Sequence, residues 1–162
     1  MRKKYQFNLL KPLKMNTITK TMAGGIVATA TMTILMMAAP VMGMPEMNVG
    51  EMLGGMLGGI IILGWMMHFV IGIFFAIAYM YLVNNRLKIS NNLLRGAVYG
   101  LIVFVFAQIM MAGMGMVGLM PVPPAGSMPM MMVGSLAGHL VYGTVLGSFV
   151  KKAVSESKAR FA

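Results

Sequence analysis

Two histidines, His68 and His139, stand in stretches that otherwise read as hydrocarbon, and each is followed four residues on by a glycine: HFVIG and HLVYG. Counted at about 1.5 Å per helical residue from the apolar ends near Gly59 and Met130, both lie about 14 Å deep. That is close to the middle of a bilayer core about 30 Å thick. An ionisable group at that depth faces a bundle interior and is a candidate for function. Three chemistries are open to the pair. A neutral imidazole can make an interhelical hydrogen bond in a packed contact. Two imidazoles at matched depth can bind the two faces of a haem b iron, with Ser135 or Tyr142 holding a tautomer from outside. The pair can also line a path for a proton or a small ligand.

Methionine is the second source of chemistry. Of 23 copies, 19 fall within residues 32–67 and 110–132, the ends of the spans away from the basic loops. Thioethers are soft ligands suited to Cu(I). A copper site would join a histidine nitrogen to sulfurs such as those of Met67, Met111 or Met114. The plainer reading is that methionine fills irregular gaps as a flexible apolar side chain. Other polar groups within the spans are few. Thr29, Thr31, Thr33 and Gln108 are expected to bond across helices or to their own backbone. The chain has no cysteine, which removes disulfides, thiolate metal sites and thiol nucleophiles. Neither a Ser-His-Asp set, a phosphate loop nor paired carboxylates occur in the apolar stretches, so the expectation is a protein that is not an enzyme.

The elements that must position these groups follow from composition. The chain is 59% hydrophobic and 10% charged, with mean hydropathy +0.82. A soluble domain carries about a quarter charged residues. Four apolar runs, 22–43, 59–83, 96–119 and 128–150, each match the about 20 residues that cross a bilayer. They predict a single membrane domain over 22–150, between a basic arm, 1–21, and a basic tail, 151–162. Pro40 predicts a kink, and the glycine-rich segment 44–58 a short interfacial helix. Trp65 and the pair Tyr79 and Tyr81 sit where aromatic belts are expected.

Basic residues alternate strictly. Lys14 and Lys20 precede the first run, Arg86, Lys88 and Arg95 separate the second and third, and Lys151 and Lys152 follow the fourth. The two other connections hold no Lys or Arg, and Glu46 and Glu51 lie in the first of them. The positive-inside rule then predicts both termini in the cytoplasm. The net charge of +10 is read as orientation plus attraction to anionic headgroups, about 1 kcal/mol per basic residue near the surface. It is not read as a nucleic-acid footprint.

The two halves look duplicated. A shift of 71 residues places His68 on His139, Gly72 on Gly143, Gly25 on Gly96 and Gly55 on Gly126. Gly64, His68, Gly72 and Ala76 form one i, i+4 ridge, and Ser135, His139, Gly143 and Gly147 form its counterpart. The fold class is therefore all-α, an integral membrane four-helix bundle built from two parallel-repeat hairpins. The ridges predict that the two histidine helices pack against one another through Gly72 and Gly143.

The pieces GGIVATATMTILMMAAPVMGMPEM, LGWMMHFVIGIFFAIAY, RGAVYGLIVFVFAQ and GSLAGHLVYGTVLG carry a resemblance. Over 22–150 the chain resembles the small four-span bacterial membrane proteins grouped as a domain of unknown function. The resemblance implies four helices and a place in the cell inner membrane, and brings no activity. The expected function is a membrane subunit or scaffold, working as a homo-oligomer or within a membrane complex. A haem- or copper-binding protein and an oligomeric transporter of a small solute are the alternatives.

Overall fold

The computed structural model describes residues 15–83, 86–119 and 126–150. The expectations for most of the basic arm, the tail and the connection 120–125 lie outside the described residues. Among the described residues there are five α-helices: α1 Met15–Ala38, α2 Val49–Gly55, α3 Ile61–Ala78, α4 Asn92–Met116 and α5 Met128–Phe149. Four are long and apolar enough to cross a membrane, over Thr17–Met42, Ile61–Leu82, Asn92–Met116 and Met128–Phe149. The protein is a multi-pass, all-α membrane bundle.

Local chemistry sets the ends. α1 already covers Met15–Lys20, within the stretch expected as arm, because MNTITK contains no helix breaker. Pro40 lacks an amide hydrogen and cannot continue the ladder, so the helix tightens there into the 3-10 turn Ala39–Met42 rather than merely kinking. Gly43 closes that turn at φ +81°, a left-handed conformation that favours glycine. The expected interfacial helix is α2. Its N-cap, Asn48, accepts a hydrogen bond from the amide of Glu51 at 3.1 Å. Asn91 caps α4 by accepting from Leu93 and Leu94 at 2.9 and 3.2 Å. α3 ends in the π-helical turn Tyr79–Val83.

The duplication is present in the contacts. In the first hairpin Gly25 meets Ala76 and Gly72, Thr29 lies over Gly72, and the Thr33 hydroxyl reaches His68. In the second, Gly96 meets Gly143 and Gly147, Gly100 lies against Gly143, and the Phe104 ring touches that of His139. Every pair in the first set becomes its counterpart in the second on adding 71 to both numbers. The correspondence stops at Gly55, which is helical, whereas Gly126 has φ +92°.

The ridges do not meet each other as expected. Gly72 faces Thr29 of α1, and Gly143 faces Gly96 and Gly100 of α4, so each ridge closes its own hairpin. Small residues let two backbones approach where a Cβ would collide, the usual close contact of membrane helices. Between the hairpins, α1 packs on α5: Gly24 receives Phe149 and Leu146, and Gly138 receives Met32 and Met36. α3 therefore flanks α1 and α4 flanks α5. α3 and α4 touch through the ring pairs Tyr79–Tyr99 and Phe75–Phe106. Gly64 seats α2 on α3 against Gly50 and Gly54, with Trp65 packed on Gly50.

Candidate functional site

Toward the methionine-rich end, the space between the hairpins is a cavity of about 1460 Å³. α1, α3, α4 and α5 supply its walls, joined by α2 and the residues just before it. His68 and His139 both line it, as do Met67, Met111, Met114 and nine further methionines. The expected copper ligands thus share one space. Glu46, Glu51 and Ser127 line the methionine-rich end, and Thr29, Gly72 and Tyr142 line it at mid-bundle.

Each histidine is held differently. The His139 Nδ1 lies 2.7 Å from the Ser135 carbonyl oxygen. A carbonyl only accepts, so the proton sits on Nδ1 and Nε2 keeps its lone pair. Ser135 meets Nδ1 chiefly with its main chain, its side-chain oxygen lying further off at 3.4 Å. Its side-chain oxygen accepts from Gln108 Nε2 at 3.2 Å, the interhelical bond expected of Gln108. The ring edge of His139 rests on Phe104 with centroids 5.9 Å apart. The His68 Nε2 is 3.2 Å from the Thr33 hydroxyl, and its ring lies edge-on to Trp65 and Phe69. The repeat places Phe104 where the first half has Thr33, so the imidazoles are matched in position and unlike in hydrogen bonding. Thr29 and Thr31 bond to their own backbone, at Gly25 and Val27, as expected.

Of the five residues assigned to helix packing, Gly64, Gly72, Gly143 and Gly147 lie at close helix contacts. Ser135 serves the hydrogen-bonded network instead. Among the described residues no three histidine or carboxylate side chains come together as a metal group. A metal here would depend on thioether sulfur.

Several residues shape the site in roles the sequence did not indicate, among them Tyr142, expected to hold a histidine tautomer and bonded instead to the main chain of α3. Tyr142 donates to the Gly72 carbonyl at 2.6 Å, and Tyr99 to the Phe75 carbonyl at 2.7 Å. These hydroxyls tie the second hairpin to α3 at the mid-bundle end of the cavity. Arg95, expected only as an orientation charge, is 0% exposed. Its guanidinium donates to the Tyr79 hydroxyl at 3.1 Å, the Ile89 carbonyl at 3.2 Å and Asn92 Oδ1 at 2.8 Å. Tyr79, expected in an interfacial belt, is likewise fully buried, because Arg95 needs its oxygen. One signal was available: with three acidic residues in the chain, a basic residue entering a span has few carboxylates to meet.

Comparison with known proteins finds no matching curated protein and no matching solved structure. One family model matches residues 15–160, that is, the whole bundle with both histidine ridges and the cavity they share. The chain belongs to that family, the Family of unknown function (DUF6789).

Proposed function

We propose that the protein is a non-enzymatic membrane subunit that receives a ligand in the cavity between its hairpins, with His68 and His139 as polar anchors. The observation that carries this reading is that both imidazoles line one large, mostly apolar cavity. A mainly apolar hollow with a few convergent polar groups is the usual form of a ligand site. The alternating basic segments support placing both termini in the cytoplasm, which turns the methionine-rich end outward.

A second reading, a bound haem or Cu(I), is favoured by one detail. A ligating imidazole commonly donates its other ring N–H to a carbonyl, as His139 does to Ser135. Twelve methionines in the lining add soft sulfur.

Both readings are tested on protein purified from membranes. Solvent extraction with mass spectrometry should release an organic ligand from wild type, and several-fold less from His68→Ala and His139→Ala. A reduced-minus-oxidised spectrum with copper analysis is run on the same samples. A stoichiometric haem or copper signal lost in His68→Ala would move the assignment to the second reading. No ligand of either kind would return the histidines to packing alone.

A further inference from the structure

Resting on the reading of the cavity as a ligand site, we infer that its occupant is a neutral amphiphile with a hydroxyl-bearing ring as its head, a phenol or quinol. It enters sideways from the bilayer between α3 and α4.

The head group follows from which hydrogen-bonding valences are already committed. Tyr142 donates to the Gly72 carbonyl and Thr29 to the Gly25 carbonyl. The His139 Nδ1–H is committed to the Ser135 carbonyl, and one Gln108 N–H to the Ser135 hydroxyl. On the wall formed by α4 and α5 what remains is the His139 Nε2 lone pair, an acceptor, with the second N–H and the carbonyl oxygen of Gln108 and the Ser135 hydroxyl proton beside it, while the His68 Nδ1 stays open on the opposite wall. A hydroxyl answers this set by donating to the imidazole and accepting from the amide. An ether or a bare carbonyl leaves the His139 lone pair unmet. The rings of Phe75 and Phe106, edge-to-face at 5.6 Å, line the cavity and give a ring-shaped head an aromatic wall.

Charge and size exclude other occupants. Among the described residues no Lys or Arg lines the cavity, while Glu46 and Glu51 do. An anionic head would meet like charge at that end and an apolar medium further in, where an unpaired ion is costly. A small-molecule site commonly measures about 300–1,000 Å³. At about 1460 Å³ this cavity has room for a head and a long apolar tail, far beyond the needs of a single ion. Methionines suit a tail, because their unbranched side chains adapt to irregular shapes.

The route of entry follows from exposure. Val70 and Phe74 of α3 and Phe106 and Met110 of α4 line the cavity. The same residues are 63%, 65%, 49% and 46% exposed, so neither helix is sealed by its neighbour along this edge of the cavity. The inner wall therefore runs continuously into the surface that faces lipid.

The test uses the full chain in phosphatidylcholine nanodiscs and three tritiated probes: 4-dodecylphenol, its O-methyl ether, and dodecanoate. The phenol should bind about tenfold more tightly than the ether, equivalent to about 1.4 kcal/mol for one hydrogen bond. Dodecanoate should bind more weakly than either. In His139→Phe the phenol-to-ether ratio should fall to about one while the ether still binds. If that variant does not fold, the ratio on wild type decides the matter alone. Equal binding of phenol and ether, or tightest binding of dodecanoate, overturns the hydroxyl assignment and leaves the ligand site standing. Binding of none of the three overturns both.

Discussion

The Tyr142 hydroxyl is one atom joining two hairpins, since its proton is given to the Gly72 carbonyl across the bundle. Tyr142→Phe removes that bond with almost no change of shape. It should lower stability by about 0.6–1.5 kcal/mol, the range for one such bond, read as a lower thermal midpoint in detergent. An unchanged midpoint would mean that packing alone holds the hairpins together. Arg95 presents the opposite case, because three acceptors converge on a guanidinium that is fully buried. Arg95→Ala leaves the Tyr79 hydroxyl and the Ile89 carbonyl without that donor, at about 1–3 kcal/mol. Arg95→Lys, with one compact head in place of a fork, should recover part of the loss. A lysine variant no better than alanine would argue that only the fork geometry counts. His68 and His139 were legible in the sequence because an ionisable side chain in an apolar run stands out. Arg95 was not, because it opens a span immediately after a basic loop. Only the fold shows that Tyr79, sixteen positions earlier, lies beside it.

Helix faces were legible where helix neighbours were not. The i, i+4 ridges of α3 and α5 are present as read, and so is the 71-residue repeat in its helical part. Periodicity identifies the side of a helix that carries small residues, but not which helix will meet it. Gly72 met Thr29, and Gly143 met Gly96 and Gly100. A substitution pair tests the α4–α5 contact. A Cβ at Gly143 would run into the Gly96 carbonyl and the Gly100 backbone, whereas one at Gly113 meets none of the described residues within 4 Å. Gly143→Ala should cost about 1–3 kcal/mol through overpacking, and Gly113→Ala should be neutral or better, as alanine suits a helix. Thermal denaturation of both variants by size-exclusion recovery reads the difference. Equal midpoints would count against the close approach.

Across the whole molecule, hydropathy and length sufficed for the four spans, because each depends on a local sum. The cavity was not legible, since its volume depends on how far two hairpins separate, a property no single stretch encodes. Orientation is tested directly by reporter fusions after residues 50, 90, 124 and 160. They should read outside, inside, outside and inside, and a cytoplasmic signal at 50 would reverse the assignment. The buried Arg95 also puts a clock on assembly. Chains emerge N-terminus first, so α3 and Tyr79 are already made when Arg95 leaves the ribosome. Near the end of a span an unpartnered guanidinium turns toward the headgroups, and the earlier segment brings the Tyr79 oxygen that receives it within the bundle instead. The inner end of α4 therefore takes its final place only against a neighbour synthesised moments before.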